Sequence, residues 1–74
     1  MSQDEIEMIE GLKRKGIDVC LPMTENDEIM IFTFSQKEVK IAKEIVKEYN
    51  YKLQLYMPGS KIDNKAAEYD LIKR

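Results

Sequence analysis

The chain of 74 residues contains no histidine, and that absence excludes more than any residue present implies. Ser-His-Asp and Cys-His catalysis, and metals held by imidazole, need a ring nitrogen that titrates near neutrality or ligates an ion. Cysteine is nearly absent too. A single Cys20 leaves no internal disulfide to form, whereas a secreted domain this small ordinarily carries several, so a reducing, cytoplasmic setting is expected. No apolar run approaches the roughly 18 residues of a membrane span, and the opening Met-Ser-Gln-Asp-Glu is acidic where a signal peptide is basic. No membrane partner is expected. An excess of one charge is also missing: 12 basic residues against 14 acidic leave a formal net charge of −2, without the basic field that drives general nucleic-acid binding.

What the chain does carry is local order. Ser2-Gln3-Asp4-Glu5 fits the capping box, in which a serine hydroxyl caps the third helical amide and a glutamate reaches back. Ile6, Met8, Ile9 and Leu12 then share one side of a 3.6-residue period, Lys13-Arg14-Lys15 fill the last turn, and Gly16 supplies a stop. From Ile17 to Met23 the period becomes two, with Ile17, Val19 and Leu21 on one face and Asp18, Cys20 and Pro22 on the other. Thr24-Glu25-Asn26-Asp27 has the composition of a hairpin loop. It leads into a strand over Glu28 to Phe34 that is apolar on both faces: Ile29 and Ile31 point one way, Met30, Phe32 and Phe34 the other.

Ser35-Gln36-Lys37-Glu38 is a second capping box, followed at helical spacing by Val39, Ala42, Ile45, Val46 and Tyr49, with Asn50 as a left-handed stop. Tyr51 to Met57 alternates, with Tyr51, Leu53, Leu55 and Met57 inward and Lys52, Gln54 and Tyr56 outward, until Pro58-Gly59 ends the strand. A last helix is expected from about Asn64, capped by Asp63 and carrying Ala66, Ala67, Leu71 and Ile72. Residues 1–74 are thus expected to form one α+β domain of order α-β-β-α-β-α. Its predicted sheet is three-stranded and mixed, a hairpin plus a right-handed β-α-β crossover packed with helices. A third strand beside the second makes strand 28–34 central. A third strand beside the first leaves strand 28–34 as an apolar edge.

Catalytic inventory is thin. Cys20 lies on the polar side of its strand with no neighbour marking a depressed pKa, so it reads as a small semi-buried filler rather than a nucleophile. Glu25, Asp27 and Glu28, with Asp18 across the hairpin, offer carboxylate oxygens to a divalent ion, but neither a calcium-loop spacing nor a Glu-x-Lys pair accompanies them, and a solvated loop is the simpler reading. Pro58-Gly59-Ser60-Lys61 lacks the upstream glycine and the Gly-Lys-Ser/Thr order of a phosphate loop. The chain is expected not to be an enzyme, and to bind neither a cofactor nor a metal.

Two surfaces remain. On the middle helix, Lys37, Lys40, Lys43 and Lys47 cover about a third of the circumference, a stripe able to follow a phosphate backbone. It contains no arginine or aromatic residue, and Lys40 pairs with Glu44, so a solvated helix face explains it as well. The second surface is the far face of the sheet. If Met30, Phe32 and Phe34 lie there, flanked by Tyr56 and Cys20, they make a polar-rimmed patch with the composition of an interface core. The function expected first is a small protein-protein interaction module, a regulator, inhibitor or accessory subunit. It would bind another protein or its own copy through that face or an edge. A nucleic-acid-binding module using the lysine stripe is the alternative.

Overall fold

The computed structural model describes residues 2–24 and 27–74. Its elements in chain order are α1 (Gln3–Arg14), β1 (Asp18–Cys20), β2 (Ile29–Thr33), α2 (Gln36–Glu48), β3 (Tyr51–Met57) and β4 (Ala67–Lys73). The fold is α+β, with two helices and one four-stranded sheet of order β1-β2-β4-β3 in which every neighbouring pair is antiparallel.

Both helices start and stop where local chemistry dictates. The Ser2 hydroxyl accepts from the Glu5 amide at 3.3 Å and donates to Glu5 Oε1 at 3.1 Å, closing the first capping box. In the second, Ser35 Oγ accepts from the Glu38 amide at 3.2 Å, while Glu38 Oε1 reaches one residue beyond the cap to accept from the Phe34 amide at 3.3 Å. Gly16 ends α1 at φ 78°, with its amide on the Lys13 carbonyl and the Ile17 amide on the Leu12 carbonyl. These two bonds form a Schellman stop. Asn50 ends α2 at φ 66°, a conformation its short amide side chain tolerates.

The core lies on one side of the sheet. Met8, Ile9 and Leu12 of α1 and Ala42 and Val46 of α2 are buried against Ile17, Ile29, Ile31 and Leu71. Val19, Tyr51, Leu53 and Tyr69 pack on that cluster partly buried. Thr33 is buried as well, and its hydroxyl donates to the Ala67 carbonyl at 3.5 Å, so the one buried polar side chain among the described residues has a partner.

Two expectations are corrected. Residues 67–73 form a strand, not a third helix, and this strand inserts between β2 and β3. The sheet is therefore four-stranded and antiparallel rather than three-stranded and mixed. The expected crossover does exist in outline: β2 and β3 run the same way on either side of β4, a split β-α-β unit. Consequently β2 is hydrogen-bonded on both sides, and strand 28–34 is not an edge. The edges are β1 and β3. The second correction concerns β1, which spans three residues where seven were expected. Pro22 has no N–H to give the ladder, and Leu21 is exposed. The turn expected around Glu25 and Asn26 falls outside the described residues.

The β3–β4 connection closes through a tight loop in which Ser60 and Lys65 exchange backbone bonds of 3.1 and 3.0 Å and Asn64 takes φ 54°. Gly59 sits against it so closely that a Cβ there would lie 2.9 Å from both the Ala67 nitrogen and the Lys65 oxygen. These contacts are backbone, and backbone yields little. Gly59→Ala is expected to destabilise the fold by about 1–3 kcal/mol, seen as a lower urea midpoint. An unchanged midpoint would show that the loop can move away freely.

Candidate protein-docking face

The side of the sheet away from the helices is open: among the described residues, neither helix packs against it. Partners across an antiparallel ladder point to the same side, so the register lays out this face in rows. Asp18, Phe32, Glu68 and Met57 form one row from β1 to β3. Cys20, Met30, Asp70 and Gln54 form the next, and Ile72 and Lys52 lie beyond it. Met30, Phe32, Glu68, Asp70 and Ile72 are half-buried by their neighbours alone, and Met57 is 50% exposed. The expected orientation of Met30 and Phe32 holds: β2 buries Ile29, Ile31 and Thr33 completely and leaves the alternate residues part open.

A hollow lies at each end of the Met30–Phe32 stretch. One, of about 510 Å³, is walled by Phe32, Met57 and Glu68 with Pro58 and Ala66 of the β3–β4 connection. The other, of about 380 Å³, is walled by Cys20, Met30 and Asp70 with Leu21 and Pro22 after β1. Together they give the face relief along the strand direction.

Of the residues singled out from the sequence, Cys20, Met30 and Phe32 are brought together, with Cys20 directly opposite Met30. Phe34 lies past the end of β2, 60% exposed, against the start of α2 and the loop after β3. Tyr56 is not beside Phe32. Strand β4 separates them, and Tyr56 is the extra residue of a bulge between Leu55 and Met57. The bulge also overturns the expected inward placement of Met57, which stands opposite Glu68 on the open side. Four residues that sequence reasoning did not place here, Met57, Glu68, Asp70 and Ile72, complete the face. The period-two spacing of Ala67, Tyr69 and Leu71 carried the signal for three of them.

The other candidates stay apart. Lys37, Lys40, Lys43 and Lys47 are all exposed on α2, in the helix layer and away from the open face. Asp18 pairs with Phe32, at the end of β1 farthest from Asp27 and Glu28, and Glu25 lies outside the described residues. No group of three or more carboxylate or thiol side chains among the described residues is placed to hold a metal ion. Cys20 is exposed and free, not the semi-buried filler expected, because β1 is an edge of the sheet.

A larger hollow, about 750 Å³, lies between the start of α1, the segment after β1, the start of β3 and the end of β4, with Glu5, Met23, Tyr51 and Lys73 in its walls. Size alone does not make it a site. Partial burial, and secondarily the Glu5 carboxylate, push the Tyr51 phenol above its ordinary value near 10. The stability this protects is fully present below about pH 10 and drains away as pH rises through the folded-state value, because the unfolded chain ionises first. Tyr51→Phe is therefore expected to flatten the alkaline fall of the melting temperature. An identical alkaline profile in both proteins would remove Tyr51 as its cause.

No protein-family model matches the chain, and neither curated proteins nor solved structures gave a match. No helix among the described residues is long and apolar enough to cross a membrane.

Proposed function

We propose that this chain is a small protein-protein interaction module, a regulator or accessory subunit that docks a partner protein on the open face of its sheet. The observation that carries this reading is a sheet covered on one side only, with Met30, Phe32, Met57 and Ile72 on its uncovered side. An apolar sheet face is ordinarily covered by a second layer. Here that layer is supplied by another molecule. The free, exposed Cys20 beside the patch fits work in a reducing compartment such as the cytoplasm. A homodimer made face to face would set Asp18, Glu68 and Asp70 against a face that carries the same three carboxylates, which opposes it.

A photo-crosslinking side chain at Met30 is expected to trap a protein in extract of the native cells, and the same group at Lys43 on the helix layer is not. Sedimentation velocity with reductant is expected to give a monomer. Equal trapping from both positions would remove the face from the argument, and a concentration-dependent dimer lost on Phe32→Asp would make the partner a second copy. The four exposed lysines of α2 keep nucleic acid as the second reading. It predicts a salt-dependent shift of labelled RNA or DNA that disappears in Lys40→Glu/Lys47→Glu.

A further inference from the structure

The open face is not simply apolar. In its first row Phe32 is held between Asp18 and Glu68, and in its second Met30 lies between Cys20 and Asp70. Three carboxylates thus border a stretch of two large apolar side chains, against two ammonium groups at its margins, Lys52 at the far corner and Lys65 on the hollow beside Phe32. Glu68 and Asp70 are half-buried, two residues apart on the same side of β4, about 7 Å from one another. Asp18 and Glu68 stand two strand spacings apart, about 10 Å, astride Phe32. None of the three is in an ion pair, the pair Arg14–Glu10 on α1 being the one formed among the described residues. Glu68 and Asp70, half-buried and without a counter-ion, and the exposed Asp18 across Phe32 offer charge-assisted hydrogen bonds to cations placed beside them.

We infer that the occupant of this face is a cationic amphipathic helix: an apolar stripe seated on Met30 and Phe32, with lysine or arginine along both margins. This rests on the reading of the open face as a docking surface and specifies its partner. A helix fits better than a strand. A strand adds to a sheet edge, whereas faces are covered by helices, as α1 and α2 cover the opposite side. The dimensions agree: β2 spans about 17 Å, the length of about 11 helical residues. Basic residues at i and i+4 lie about 6 Å apart along the axis, close to the Glu68–Asp70 spacing, and a third on the other margin reaches Asp18. The hollows beside Phe32 and Met30 take the large apolar side chains. The same carboxylates repel phosphate, so this face is not one for nucleic acid. Lys65 borders the hollow beside Phe32 and is the one cation near that end.

The test uses the full chain and two designed peptides of about 15 residues, alike in their leucine stripe, one flanked by lysine and the other by glutamate. In an amide NMR titration the lysine peptide is expected to shift Cys20, Met30, Phe32, Glu68 and Asp70, and the glutamate peptide is not. Raising salt from about 0.05 M to about 0.5 M is expected to weaken binding several-fold. The triple variant Asp18→Asn/Glu68→Gln/Asp70→Asn is expected to weaken it about tenfold, with a melting temperature equal to or above that of the parent. Equal binding of the glutamate peptide on the same amides would overturn the cationic partner and leave the docking face standing. Shifts confined to the acidic surface of α1 would overturn both. Binding of neither peptide overturns the cationic helix, and crosslinking from position 30 then decides separately whether the face docks a protein.

Discussion

Replacing Ile31 by alanine is expected to lower the unfolding free energy by about 3 kcal/mol, while Phe32→Ala, one residue along the same strand, costs about 1 kcal/mol or less. Ile31 is fully buried in the core cluster, with Val19 of β1 and Tyr69 of β4 beside it, and its removal leaves a cavity that the surrounding core closes only in part. Phe32 lies on the other side of β2, half-exposed, outside the core cluster. For a chain of this length the whole stability is about 4–11 kcal/mol, so the Ile31 change removes a large share. Its melting temperature falls by about 12–24 °C. Chemical and thermal melts of the two variants side by side check this directly. Equal losses would mean that Phe32 is packed inside, and the docking face would then be covered by the chain itself. The two effects must also part in binding: Phe32→Ala loses the crosslinked partner while keeping its fold.

Removing residues 67–74 is expected to abolish cooperative unfolding altogether. Strand β3 has no ladder partner other than β4 among the described residues, so it detaches, and β2 loses one of its two neighbours. Leu71 leaves the buried cluster and Tyr69 leaves its flank. Far-ultraviolet circular dichroism of the shortened chain should show no strand signal and no sigmoidal melt. Had the segment been a terminal helix laid on a finished three-stranded sheet, its loss would cost only its own packing, and a cooperative transition would survive at lower temperature. The milder variant Leu71→Ala separates packing from strand insertion, with an expected loss of about 2–4 kcal/mol and a retained sigmoid.

The open face illustrates what charge does to an apolar surface. Met30 and Phe32 alone would favour a second copy of the same face, since apolar patches are self-complementary. Asp18, Glu68 and Asp70 set among them would oppose that preference, because a face-to-face pair would bring like charges together. On the proposed reading, selectivity for a basic partner and protection against self-association would have one cause.

Most local signals were legible in the amino-acid sequence, although Ile6, expected in the buried stripe of α1, is exposed. The capping serines, the left-handed stops at Gly16 and Asn50, the buried stripes of both helices and the alternation that turns Ile29 and Ile31 one way and Met30 and Phe32 the other all rest on interactions within a few residues. The last strand was misread as a helix despite the period-two spacing of Ala67, Tyr69 and Leu71. Ala66, Ala67, Glu68 and Asp70 are poor strand formers by intrinsic preference, and Asp63 before them resembles a helix cap. Their strand conformation comes from ladders on both sides, to β2 some 34–42 residues earlier and to β3 some 11–22 residues earlier. With β4 misplaced, the sheet edges, the separation of Tyr56 from Phe32 and the carboxylates of the open face were all out of reach. Sequence by itself determined which side chains of β2 would share a face, because that follows from the period of an extended chain. Only the tertiary structure decided what stands beside them and that neither helix covers them, because strand order is set by long-range pairing and not by any local period.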